Sequence, residues 1–172
     1  TQDHLDFHNT MEEYLEAKAK LFNQCKIGVF NADDKYCDDM IDKSDCKIVT
    51  YSIDNFSDIK AEEVEYFTDK VRFKITLDDI KHEINVNIPG RFTVYNILSM
   101  IAAAISLDIP IEIIKTALSK IKGVRGRIER VPNDKNKNII VDYSHTPDGL
   151  ENIINAVRDF TKGKVITVFG CG

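Results

Sequence analysis

No apolar run in this 172-residue chain approaches the roughly 18 to 20 residues of a membrane-spanning helix, so no membrane span is expected. The four cysteines, Cys25, Cys37, Cys46 and Cys171, form no C-x-x-C pair and no zinc-ligand spacing. Nothing suggests secretion, and a reducing cytoplasm is the expected setting. Positive charge is not in excess: 23 Lys and Arg stand against 28 Asp and Glu, a net charge of -5 that argues against an electrostatic nucleic-acid binder. The first residue is not Met, no signal-like leader follows it, and the chain stops at VITVFGCG, where a strand meets a glycine turn. Both ends are therefore expected to be cut from something larger.

What is present is a soluble globular composition, 43% hydrophobic and 30% charged, with its charge unevenly spread. Asn31 to Asp69 holds twelve acidic and four basic residues, and Lys115 to Lys137 holds eight basic and two acidic. The basic segment could face an anion or be a solvated linker; charge alone does not choose.

The hydrophobic pattern alternates strand and helix. KIGVFN and CKIVTYSI read as short strands around a helical stretch near Lys35 to Ile41, the rhythm of a layered α/β domain. Residues 71 to 88 alternate apolar and polar on both sides of an Asp78-Asp79 turn, which predicts a hairpin with one buried face. FTVYNILSMIAAAISL reads as a helix apolar nearly all round, hence buried, and a second helix runs from Pro110 to about Ile121. After a glycine-rich basic stretch with one short possible strand comes a βαβ unit: IIVDYS, a helix from Pro147 to Phe160, then KVITVFG. A domain boundary is expected near Gly123 to Arg125, giving units 1–124 and 125–172.

Two segments could carry chemistry. In TMEEYLEAKAKLF, Thr10 and Glu13 have capping-box spacing, and the phase this sets places Lys18 in the middle of the apolar stripe of Met11, Tyr14, Leu15, Leu21 and Phe22. Either the lysine lays its stem on apolar neighbours with its amine in water, or the amine reaches an interior cleft, where burial favours its neutral, reactive form. Periodicity does not decide. Upstream, His4 and His8 in DHLDFH are four apart, but Leu5 stands where H-E-x-x-H needs glutamate, so a zinc protease is not expected. In VDYSHTPDGLENII, Ser144, His145 and Thr146 lie between a strand end and a helix amino terminus, a common phosphate-binding place in α/β proteins. A triad of Ser144, His145 and Asp142 is conceivable but poor: residues so close in sequence seldom aim at one another, and no G-x-S-x-G elbow is present. A capped helix with no ligand is equally compatible.

The pieces TQDHLDFHNTMEEYLEAKAKLF, NADD, IPGRFTVYN, GVRGRIERV, VDYSHTPDGLE and VFGCG occur in an order that resembles the Mur ligases, ATP-dependent amide-forming enzymes of peptidoglycan synthesis. The wording is most similar to members adding the third amino acid to UDP-N-acetylmuramoyl-L-alanyl-D-glutamate. The resemblance implies a mixed-sheet central ATPase domain with an antiparallel hairpin, then the first βαβ unit of a Rossmann-like domain. It implies ATP and magnesium as cofactors, a UDP-MurNAc-dipeptide and a free amino acid as substrates, and no nucleic-acid or membrane partner. Lys18 would be carbamylated by carbon dioxide and help hold magnesium, with His4 a second-metal ligand. Asn96 would contact the adenine, Arg127 the nucleotide, Asp142 the ribose and His145 the phosphate region. Thr93 stands where the family usually has asparagine and Ser144 where it has alanine. The phosphate loop, the UDP-binding domain and the motif that selects the amino acid are not among these residues. Other ligases of the superfamily, such as folylpolyglutamate synthase, and a non-catalytic α/β module are the competing readings.

Overall fold

The computed structural model describes residues 10–135 and 137–170. Helix α1 (Met11–Ala19) leads into a parallel sheet of β1 (Ile27–Asn31), β2 (Lys47–Ser52) and β3 (Ile59–Lys60), with α2 (Cys37–Asp42) on the crossover. An antiparallel sheet follows, in the order β4 (Glu62–Tyr66), β5 (Val71–Leu77), β6 (Ile80–Val86). Asp78 and Asp79 both have positive φ, 48° and 62°, so the expected hairpin closes on a turn whose twist matches that of its strands. Next come α3 (Arg91–Ile105) and α4 (Ile111–Leu118), a small antiparallel pair β7 (Glu129–Arg130) and β8 (Ile140–Val141), and α5 (Pro147–Phe160). The fold is mixed α/β, and among the described residues no helix is long and apolar enough to cross a membrane.

The core forms where α3 lies over β1, β2 and β5. Val71, Phe73, Ile75, Ile84 and Val86 supply the sheet side, Val94, Ile97, Leu98, Ile101 and Ala102 the helix side, and Ile114 and Leu118 of α4 close one flank. This packing sets the rotation of α3, since turning it would expose side chains whose burial contributes about 1.5 to 3 kcal/mol each. The helix is not buried all round as its composition suggests. Phe92, Asn96, Met100 and Ala103 form an exposed stripe on the side away from the sheet.

One further expectation needs correction, and one strand was not expected. Residues 164–170 form no strand, because among the described residues no neighbouring strand pairs with them; Ile166 and Val168 are 76% and 93% exposed. And β4, with three glutamates in five residues, carries almost no hydrophobic signal; it is held instead by ladder bonds to β5 and by ion pairs such as Glu65 with Arg72 and Glu63 with Lys74.

Candidate functional site

The segment leaving β8 folds around the carboxylate of Asp142. Its Oδ1 accepts the backbone N–H of Ser144 at 2.8 Å and the Ser144 hydroxyl, and its Oδ2 accepts the N–H of Ile128 at 2.9 Å. Burial alone would raise the Asp142 pKa. The Ser144 hydroxyl, the two N–H donors and the nearby Arg127 outweigh it and hold the group below the ordinary aspartate value. Thr146 then caps α5, its Oγ1 accepting the N–H of Gly149 at 3.2 Å, with Pro147 at the start of the helix. The backbone thus turns sharply from strand to helix and leaves the side chains of 143 and 145 outside.

Those side chains and Arg127 form one cluster. The Arg127 guanidinium lies 5.2 Å from the centre of the Tyr143 ring, and the His145 ring meets Tyr143 edge-on at 5.0 Å. His145 Nδ1 is 3.1 Å from the Tyr143 carbonyl, which only accepts, so Nδ1 carries a proton and donates. The Ser144 hydroxyl turns to Asp142 while His145 turns to a backbone carbonyl, so the three do not form a relay, and the triad reading is excluded. Tyr143 was not singled out from the sequence, although it stands inside the DYSH wording.

Beside this cluster lies a cleft of about 420 Å³, lined on one side by Asn87, Ile88 and Pro89 and on the other by residues 122–132, including Lys122, Arg125, Arg127 and Arg130. The basic segment therefore faces a concave surface. Its one carboxylate at the cleft, Glu129, is engaged by the N–H of Gly126 at 2.8 Å. Of the sequence-predicted residues only Arg127 lines the cleft; Asp142 and His145 stand next to Arg127, through its charge and through the Tyr143 ring, and Asn96 and Lys18 do not line the cleft.

Asn96 stands on the exposed stripe of α3. Thr93, three residues earlier, is 2% exposed, and its hydroxyl donates to the Pro89 carbonyl at 2.8 Å. The threonine therefore secures the first turn of α3 and offers nothing outward.

Lys18 corrects the periodicity argument. Thr10 does cap α1, accepting the Glu13 N–H at 3.2 Å, but the helix buries only Leu15 and Ala19, and Lys18 is exposed with its amine 5.4 Å from the centre of the Tyr14 ring. The reason is the shortness of the element: α1 ends at Ala19, so Leu21, 64% exposed, no longer extends the apolar stripe on which the expectation depended. His4 and His8 lie outside the described residues. Among the described residues, no group of three or more His, Cys, Asp or Glu could hold a metal ion, and an unmodified lysine is no magnesium ligand. The described donors alone do not fit the metal.

A second polar cluster, missed in the sequence beyond its NADD turn, sits at the carboxyl ends of β1 and β2. Asp33 accepts the N–H groups of Ile53 at 2.7 Å, Asp54 at 3.1 Å and Asn55 at 2.8 Å, and the phenol of Tyr95 at 2.9 Å. Burial works to raise its pKa, but these four donors hold it below the ordinary value. Arg91 pairs with the Asp54 carboxylate and reaches the Tyr95 oxygen at 3.4 Å.

Comparison with known proteins matches residues 1–104 to the family "Mur ligase middle domain" and residues 126–172 to "Mur ligase, glutamate ligase domain". The UDP-N-acetylmuramoyl-L-alanyl-D-glutamate–2,6-diaminopimelate ligase 2 of Clostridium acetobutylicum is 44% identical over 172 residues, all of this chain but 36% of that protein's length. A solved structure of a UDP-N-acetylmuramoyl-L-alanyl-D-glutamate–2,6-diaminopimelate ligase aligns over 100% of this chain and 37% of its own, with a TM-score of 0.76 and 31% identity. The MurF ligase of Thermotoga maritima, solved in complex with ADP, shares the fold alone: TM-score 0.76 at 19% identity, over 92% of this chain and 37% of its own.

Proposed function

The chain belongs to the Mur ligase family, and on that premise we propose that it is part of an ATP-dependent ligase that joins 2,6-diaminopimelate to UDP-MurNAc-L-Ala-D-Glu in the cytoplasm. The observation that carries this reading is the 44% identity to a ligase of that name along the whole chain. The chain spans only about a third of that relative's length, so the activity is that of the longer enzyme. We place the boundary between its two units at residues 124 and 125, within the segment that lines the cleft.

In this reading the nucleotide binds where the basic segment faces residues 87–89. Arg127, its plane steadied against Tyr143, supplies charge toward the polyphosphate, and His145 immediately precedes the Thr146 cap at the amino terminus of α5, where partial positive charge favours anions. An ionised carboxylate offers about four acceptor positions. Asp142 uses two of them on Ser144 in its own loop and one on the N–H of Ile128, which leaves one for a ribose hydroxyl. Asn96, outward on α3, offers the donor and acceptor pair that an adenine edge requires.

The reaction runs in two steps. The D-glutamyl carboxylate attacks the γ-phosphorus of ATP, releasing ADP and forming an acyl phosphate; the amine then attacks the acyl carbon, phosphate leaves, and the amine proton is lost to a base. Magnesium, when bound, would neutralise charge that develops on the transferring group. Lys18 is its one proposed ligand among the described residues, after its neutral amine adds carbon dioxide and loses a proton to become a carbamate.

Lys18→Ala in the full-length enzyme tests the assignment. It is expected to lower ligation at least a hundredfold, with partial recovery on adding a short-chain carboxylic acid, and the wild-type protein in bicarbonate should be heavier by one carbon dioxide on that lysine. An active Lys18→Ala enzyme, or a wild-type lysine that stays unmodified, would contradict it.

A further inference from the structure

The cluster at Asp33 is a closed ring. The Tyr95 phenol donates to Asp33, the Asp54 N–H donates to Asp33, the Asp54 carboxylate receives Arg91, and Arg91 reaches back to the Tyr95 oxygen. Its members come from the turn after β1, the loop after β2 and the first turns of α3, so it joins three segments far apart in sequence. The apolar face of α3 fixes the helix's rotation, and directed hydrogen bonds at its first turns add a fixed position along the helix axis. The ring supplies that direction. Arg91 and Tyr95 are one helical turn apart on α3, and both are held by groups rooted in the parallel sheet.

Asn96 is the next residue after Tyr95, one step round the helix and facing outward. We infer that Asp33 and Tyr95 are positioning residues for the nucleotide: the ring sets the axial position of α3, and with it the place where the Asn96 amide meets the base. This inference rests on the assignment of Asn96 to the adenine made above. A side chain forming bonds to a planar base tolerates little displacement, so a small shift of α3 weakens nucleotide binding without touching the reacting atoms.

The test uses the full-length enzyme and steady-state kinetics on Tyr95→Phe, Asn96→Ala and the double variant. Tyr95→Phe removes one hydroxyl and leaves the three backbone bonds of Asp33 in place. It is expected to raise KM for ATP about fivefold while kcat and the KM for the UDP-linked substrate change less than twofold. In the Asn96→Ala background it should add no further rise. Arg91→Gln, which opens the ring from its other side, should give the same pattern with a smaller rise, and serves in its place if Tyr95→Phe is poorly folded. Asn96→Ala with an unchanged KM for ATP would overturn the adenine assignment, and this route with it. A raised KM in Asn96→Ala together with no effect of Tyr95→Phe, or with effects that simply multiply in the double variant, would overturn the ring's role alone.

Discussion

Asp33 and Asp142 solve one problem in two places: each sits just past a strand end and collects backbone donors from a segment distant in sequence that would otherwise be left unpaired. Because those donors prefer the ionised form, both groups bind protons less readily in the folded chain than in the unfolded one. The sign follows from linkage. Their contribution to stability is complete above the ordinary aspartate value near 3.8 and disappears as pH falls through the lower folded values. Urea midpoints measured from about pH 5 down to about pH 2 should therefore fall for the wild type, and fall less steeply for Asp33→Asn/Asp142→Asn. Parallel curves for the two proteins would mean that these carboxylates are not what acid attacks.

At the scale of elements, α5 places the candidate site, because its capped start turns the chain and leaves Tyr143 and His145 outside. Thr146→Ala should destabilise the chain by about 1 kcal/mol in equilibrium unfolding, the ordinary worth of a threonine cap, and a change indistinguishable from zero would show that Pro147 alone fixes the helix start. This helix was legible in the sequence from its own residues, as were the β5–β6 hairpin with its two-aspartate turn and the strands β1 and β2. Local signals wrote them: a cap, a proline, a period of two. β4 was not legible, since it is held by ladder bonds to β5 and by ion pairs rather than by hydrophobic alternation. For the same reason the KVITVFG segment looked like a strand and is not one here; apolar residues supply only half of what a strand needs. The apolar stripe drawn around Lys18 failed in another way. Helical phase says which residues share a face, and says nothing of whether that face is covered.

At the scale of the whole molecule, the site divides along the same line. Arg127, Asp142 and His145, named from the family resemblance, stand near one another in the structure, and the basic segment faces a cleft. The ring of Asp33, Asp54, Arg91 and Tyr95 was invisible, because only folding brings residues 33, 54 and 95 together. The chain spans 36% of its Clostridium acetobutylicum relative, so the proposed reaction belongs to a larger protein. The most direct measurement is phosphate release by the full-length enzyme given ATP and UDP-MurNAc-L-Ala-D-Glu, with 2,6-diaminopimelate or L-lysine as the amine. Release of phosphate with a tripeptide product in the presence of diaminopimelate, and at least tenfold less with lysine, is the expected result; equal rates with both, or no ATP turnover with either, would contradict the account.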